Sequence, residues 1–357
     1  RDVKSIELSE AARKAFGISA KTLSPDELIH EMLKSPVDLL FNGGIGTYVK
    51  ATTETHESVG DRVNDMVRVD GSELRCRVIG EGGNLGLTQL ARIEYSRLGG
   101  LCHTDAIDNA AGVDTSDHEV NIKILLNAAV VAGEVSVQDR NNLLREMTEE
   151  VAQLVLRNNY MQSQALALAV DRAPSLIHHH ARALRQLEQN YGLDRSLEHL
   201  PGEEEIRERI SLKKGLTRPE LAVLLSHSKI STFQMLLNSD VPEDTFLAED
   251  LERYFPTALS PRFKGFMANH RLRREIIASH VTNSMINRVG PGVTLRMNEL
   301  TGAHPAETAR AYAAAREVFR LRELWREIEG LDNVVISRIQ KELMHETRIL
   351  LEQAILW

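Results

Sequence analysis

Residues 1–133 alternate short apolar runs and polar turns with stretches of helical periodicity. Val37-Asp38-Leu39-Leu40-Phe41 reads as a strand that delivers Asn42-Gly43-Gly44-Ile45-Gly46, and Arg77-Val78-Ile79-Gly80 reads as another, followed by the turn Glu81-Gly82-Gly83-Asn84. Leu87, Leu90, Ile93 and Leu98 recur near a helical period and predict a helix that Gly99-Gly100 stops. A further short strand is predicted over Leu101 to Thr104, leading into a polar turn from Asp105 to Ser116. Upstream, Ser24-Pro25-Asp26-Glu27 combines an N-cap serine, a proline at the first helical position and a glutamate three residues on. The helix it opens is expected to end by Ser35, before Pro36. Strands alternating with helices imply a parallel sheet, whose ligands sit at the carboxyl ends of the strands. The turns at 81–84 and 105–116 fall at such ends.

Ser116-Asp117-His118-Glu119 has the form of a capping box and predicts a helix from Asp117 to about Ala132. Its apolar residues, Val120, Ile122, Ile124, Leu125, Leu126, Val130 and Val131, surround the axis, the pattern of a helix buried between layers. Beyond Gly133 the periodicity predicts helices only. They cover 139–158, 163–170 and 175–190, with breaks near Asn158-Asn159 and Pro174. Others open at Gly202 and at Thr217-Arg218-Pro219-Glu220, and one spans 271–288. An antiparallel pair, 305–329 and 332–356, meets at Gly330. The fold class is therefore α/β plus all-α, with a parallel-sheet domain over 1–133 and a helical domain over 134–357.

Charge and composition narrow the chemistry. A formal net charge of −8 argues against a nucleic-acid or anionic-membrane binder. No apolar run reaches the ~18 residues of a membrane span, and Arg1-Asp2-Val3-Lys4 opens no signal peptide. Two cysteines, Cys76 and Cys102, are too few for a disulfide framework, so a reducing cytoplasm is the expected compartment. Both fall in predicted strands, where a buried inert thiol is expected. Asp105, Asp108, Asp114 and Asp117, with His103 and His118, carry groups that can bind a divalent metal. Their spacing fits no metal motif, so no metal is expected, and solvated turns and helix caps account for them. His178-His179-His180 reads as helix surface. Arg271, Arg273 and Arg274 read as ion-pairing or interface residues rather than a phosphate patch.

Six blocks, in order, carry a family resemblance: NGGIGTYVKA at 42–51, VGDRVND at 59–65, GEGGN at 80–84, DNAAGVDTSDHEVN at 108–121, GLTRPELAVLL at 215–225 and HRLRREIIA at 270–278. Together they resemble the large NAD-specific bacterial glutamate dehydrogenases of the glutamate dehydrogenase superfamily. The resemblance implies an enzyme, a homo-oligomer, that oxidises L-glutamate with NAD, reversibly, to 2-oxoglutarate and ammonium. It also implies a partial Rossmann-like nucleotide domain and a carboxy-terminal fragment. The family's catalytic lysine and aspartate lie in a substrate domain that precedes the nucleotide domain. No segment here resembles that domain, and no G-x-G-x-x-G fingerprint follows a first strand. No catalytic residue is therefore expected in this chain, and the remainder of the same polypeptide is an expected partner. NAD rather than NADP is inherited from the resemblance alone. The alternatives are another amino-acid dehydrogenase of the superfamily, or a non-catalytic helical assembly module with a vestigial nucleotide fold.

On that resemblance Asn42, Gly43, Gly44, Gly82, Gly83, Asn84 and Asn109 are candidates for cofactor binding, and Val113 and Ser116 for substrate binding. Absent side chains at the glycines let the backbone approach the adenosine ribose and pyrophosphate; the competing explanation is a loop that needs positive φ. The Asn84 amide donates and accepts, which suits a ribose hydroxyl, but asparagine also suits a left-handed turn. Glu81 reads as structural, because a carboxylate repels a pyrophosphate. Asn109 corresponds to the asparagine that in the family reads the nicotinamide carboxamide; its other reading is capping. Val113 and Ser116 match the family's apolar wall and its hydroxyl for the side-chain carboxylate of glutamate. A hydroxyl at 116 favours glutamate over a branched-chain or aromatic substrate. Ser116 is also a good N-cap, and the two roles are compatible because a helix N-terminus favours an anion.

Overall fold

The computed structural model describes residues 3–357. Its strands are Ile6–Glu7 (β1), Thr22–Leu23 (β2), Leu39–Asn42 (β3), Val49–Lys50 (β4), Val69–Asp70 (β5) and Val78–Glu81 (β6). Seventeen helices are Glu10–Phe16 (α1), Pro25–Leu33 (α2), His56–Val59 (α3), Gln89–Arg97 (α4), Asp105–Asp108 (α5), Ala110–Val131 (α6), Val137–Glu146 (α7), Thr148–Asn190 (α8) and Glu203–Ser211 (α9), then Arg218–Leu237 (α10), Ala248–Tyr254 (α11), Ser260–Ala268 (α12), Arg273–Val289 (α13), Val293–Thr301 (α14), Pro305–Val318 (α15), Leu321–Glu329 (α16) and Ser337–Leu356 (α17). The chain divides into two compact units. The first holds the residues up to Ala110 with 195–202 and 216–223; the second holds the rest.

In the first unit β1 and β2 pair antiparallel, whereas β3 runs parallel to β6 and β4 parallel to β5. Val49, Val69, Ile79, Leu87, Ala91 and Tyr95 form the core between these strands and α4. The expected box at Ser24 is present: Ser24 Oγ accepts from the Glu27 amide, and Glu27 accepts from the Ser24 amide at 2.8 Å. The strand expected over Leu101 to Thr104 shrinks to one parallel bridge between Leu101 and Val78. Cys76 and Cys102 are free and buried, though outside the strands. Burial pushes the Cys102 thiol up to about 12 and raises Cys76 as well, so both are inert near neutrality.

The second unit is helical throughout its described residues and departs from the periodicity in instructive places. α6 begins at Ala110, so Ser116 is not an N-cap; its hydroxyl donates to the Gly112 carbonyl at 3.2 Å, inside the helix. Tertiary bonds hold the extra turns: Asn158 Nδ2 donates to Asp114 at 2.8 Å and the Tyr254 hydroxyl to Asp117 at 2.7 Å. Nor is α6 buried all round, since Val120 and Val131 are exposed. The three helices expected from 139 to 190 become α7 and a continuous α8, which runs through both Asn158-Asn159 and Pro174. Leu166, Ala169, Ala173, Ile177, His180, Leu184 and Leu187 keep a buried helical stripe on both sides of Pro174, and that burial outweighs the ~3 kcal/mol a mid-helix proline costs. Only His178 and His179 of the histidine triplet reach the surface region; His180 is 3% exposed. At the carboxyl end Arg320, at φ 51°, separates α15 from α16, so three helices replace the expected pair. Arg274 pairs with Glu243 and donates to the Leu237 and Ser239 carbonyls at 2.7 and 3.0 Å, an ion-pairing and capping role. No described helix is long and apolar enough to cross a membrane.

Burial, reinforced by Arg348 and His179, pushes His180 down from 6.5 to about 4. A histidine held neutral in the fold contributes stability that is present above its unfolded pKa and is lost as pH falls toward the folded one. The loss here is on the order of 3 kcal/mol across that window. His180→Leu is therefore expected to flatten the fall of the melting temperature between pH 6.5 and 4.5. An unchanged slope in the variant would contradict this.

Candidate nucleotide-binding corner

The parallel register places Asn42 opposite Glu81, so the turns after β3 and β6 leave the sheet side by side at its carboxyl end. The Gly82 amide donates to the Asn42 carbonyl at 2.8 Å, and the Gly44 amide to Asn42 Oδ1 at 3.2 Å. Asn109, which follows α5, donates through Nδ2 to Asn84 Oδ1 at 2.7 Å. The seven cofactor candidates, Asn42, Gly43, Gly44, Gly82, Gly83, Asn84 and Asn109, thus share one corner of the first unit.

The glycines there serve two different ends. None of Gly43, Gly44, Gly82 and Gly83 has positive φ, so a left-handed backbone does not explain them. A Cβ on Gly82 would lie 2.5 Å from the Phe41 ring, one on Gly83 2.5 Å from the Gly44 carbonyl, and one on Gly86 1.9 Å from Asn42 Nδ2. These three let the second turn pack against the end of β3 and the turn that follows it. On Gly44 a Cβ would meet nothing within 4 Å, and on Gly43 only the Phe41 ring at an ordinary 3.5 Å. Both residues are exposed. The left-handed turn residue is Leu85, at φ 59°, rather than Asn84, whose side chain stays exposed.

Beneath the corner Glu81, 1% exposed, accepts from Arg92 Nε at 2.7 Å and Nη2 at 2.8 Å, and from the Leu87 amide at 3.1 Å. Burial pushes the Glu81 carboxyl up while Arg92 draws it down. Burial likewise opposes the Arg92 charge, but Glu81 and Asp105 outweigh it and raise Arg92 above its ordinary value. Glu81 is an internal anchor, as its expected structural role requires. Asp105 Oδ2 accepts from the Leu85 amide at 2.8 Å and Asp108 Oδ2 from the Glu81 amide at 3.1 Å, while His103 Nδ1 lies 2.8 Å from Asp108 Oδ1. The second polar turn therefore braces the first. Among the described residues no group of three or more His, Cys, Asp or Glu is placed to hold a metal ion.

Val113 and Ser116 belong to the second unit. They stand three residues apart on one face of α6, and both are exposed. Sequence reasoning missed Arg92 and Gly86. No local pattern links Arg92 to a glutamate eleven positions earlier, and the need for Gly86 arises only from the approach of Asn42.

Parallel strands packed with helices make the first unit an α/β fold, with glycine and asparagine turns at the strands' carboxyl ends. Comparison with known proteins makes the relationship specific. Residues 1–169 match the family described as bacterial NAD-glutamate dehydrogenase, catalytic domain, and residues 213–357 match glutamate dehydrogenase, C-terminal. The whole chain is 51% identical to an NAD-specific glutamate dehydrogenase of Pseudomonas aeruginosa, 47% to that of Halomonas elongata and 43% to that of Mycobacterium tuberculosis. The chain belongs to the bacterial NAD-glutamate dehydrogenase family. It spans 22% of the length of each of these relatives.

Proposed function

We propose that this chain supplies part of the NAD site and one side of the glutamate site of an NAD-dependent glutamate dehydrogenase. The observation that carries the reading is the pair Gly43 and Gly44, exposed glycines that neither φ nor packing explains. A pyrophosphate lying against that backbone supplies the missing reason for them. Asn84 and Asn109 offer amides to a ribose hydroxyl and to the nicotinamide carboxamide, exchanging part of their mutual bond for the cofactor. Bound there, NAD supplies a hydride acceptor; the protein's share is to fix which face of the ring meets the substrate. The parallel pairing of β3 with β6 supports reading residues 1–133 as the end of a Rossmann-like domain, with 134–357 a helical domain. The catalytic lysine and aspartate belong to other parts of the polypeptide on this reading. Two free, buried thiols agree with a cytoplasmic enzyme, and the homo-oligomer is part of the same proposal.

Ser116 tests the substrate half. It caps nothing and is exposed, so Ser116→Asp is expected to shift stability by less than about 0.5 kcal/mol. An aspartate placed against the substrate's own carboxylate is expected to raise the KM for glutamate by roughly tenfold or more in the complete polypeptide, because like charges at short range repel by over a kilocalorie per mole. Ser116→Val should shift preference toward apolar amino acids. Unaltered glutamate kinetics in Ser116→Asp would remove Ser116 from the substrate site.

A further inference from the structure

Within the second unit, α8, α11, α13 and α16 enclose a cleft of about 450 Å³. Polar residues reach it at helical spacing: His280, Asn283, Ser284 and Asn287 from α13, and Arg322, Arg326 and Glu329, with Trp325, from α16. The opposite side of α13, including Ala278, Met285 and Val289, is packed in the core. The stripe runs from exposed residues at the mouth, Arg157, Asn283 and Arg326, to the buried Asn287 and Arg288.

Its charges do not balance. Arg157 and Arg288 both rest on one carboxylate, Glu329, at 2.6 and 2.7 Å, and Glu329 is 8% exposed. Arg326 lines the same cleft and has no acidic partner among the described residues. Arg322 is held by Asp250 and Glu317, and Arg253 by Glu249. Three guanidinium groups against one carboxylate leave about two positive charges uncompensated. Arg288 is also fixed in place, its guanidinium 4.3 Å from the centre of the Trp325 ring. Asn287 is 7% exposed, and its buried Oδ1 has no hydrogen-bond partner. That oxygen can only accept, so a ligand reaching it must present a donor there, such as the P–OH of a hydrogen phosphate.

We propose that this cleft binds a small doubly charged oxyanion, a dicarboxylate or a phosphate-bearing metabolite, held by Arg157, Arg288 and Arg326. Guanidinium groups suit both chemistries, because each presents paired acceptor oxygens to a planar fork of donors. The inference concerns binding alone and does not depend on the dehydrogenase reading.

The test is thermal melting and titration calorimetry on the complete polypeptide, with sodium phosphate, sodium succinate and sodium chloride at matched ionic strength. Phosphate, succinate or both are expected to raise the melting temperature saturably beyond chloride, and which of them does so identifies the anion class. Arg326→Gln and Arg157→Gln should each weaken the apparent affinity roughly tenfold or more. Arg326→Gln should leave the ligand-free melting temperature unchanged, since it breaks no ion pair. Arg338→Gln, at a site with 77% side-chain exposure elsewhere on α17, should bind as wild type. No stabilisation beyond chloride, or stabilisation that survives both cleft substitutions, overturns the proposal.

Discussion

Arg92→Leu is expected to lower unfolding stability by about 3–5 kcal/mol, the range for removing one partner of a buried ion pair. Glu81 is 1% exposed and loses both of its guanidinium bonds, keeping only the Leu87 amide. Burial already raises this carboxyl, so without Arg92 it takes up a proton more readily, and the variant should be least impaired at acid pH. The same substitution releases Asp105, which lies 3.3 Å from Arg92 and braces Leu85. Both turns of the corner should therefore loosen together. Replacing both partners, Glu81→Leu with Arg92→Leu, is expected to recover much of the loss, because no buried charge remains. Equilibrium denaturation of the three variants decides it. A single variant within about 1 kcal/mol of wild type would show that the pair is not the anchor of the corner.

Gly44→Val is expected to leave the fold intact and to impair cofactor use. Position 44 lacks positive φ, and a Cβ there would meet nothing within 4 Å, so a larger side chain is expected to be accommodated in the free protein. With NAD against this backbone, the added methyl groups occupy the path of the pyrophosphate. Overpacking of this kind costs about 1–3 kcal/mol, or roughly a tenfold to hundredfold rise in the Kd for NAD. Gly83→Val offers the contrast: its Cβ would collide with the Gly44 carbonyl, so that variant should lose stability as well as affinity. Melting temperatures and NAD titrations of both variants in the complete polypeptide separate a glycine kept for packing from one kept for a ligand. A Gly44→Val enzyme that binds NAD normally would leave the glycine without the reason given for it here.

Where the chemistry is local, the sequence was a good guide. The turns after β3 and β6 lie where their glycines put them. The helix expected at Thr217-Arg218-Pro219-Glu220 opens there, with the Thr217 amide and hydroxyl donating to Glu220 at 2.6 and 2.8 Å. Ser116 carries the same local pattern yet sits inside α6. The deciding bonds, from Asn158 to Asp114 and from Tyr254 to Asp117, span 44 and 137 residues. No reading of a four-residue window contains them. Pro174 tells a similar story, since a breaker by propensity is carried through by the buried stripe on either side of it. The candidate corner was legible in residue identity but not in physical cause. Left-handed backbone is the usual reason for loop glycines, whereas at Gly82, Gly83 and Gly86 the reason is the approach of the end of β3 and the turn after it. That reason exists only once β3 and β6 are paired.

Hydrogen exchange of the complete polypeptide, with and without saturating NAD, locates the cofactor directly. Protection is expected in the peptides that contain Asn42 to Gly46, Glu81 to Leu87 and Asn109, since these residues meet in the corner proposed for NAD. It should disappear in Gly44→Val at the same NAD concentration. NAD-dependent protection confined to other segments, with the turns at 42–46 and 81–87 exchanging as in the free protein, would contradict the assignment of the nucleotide site to this corner.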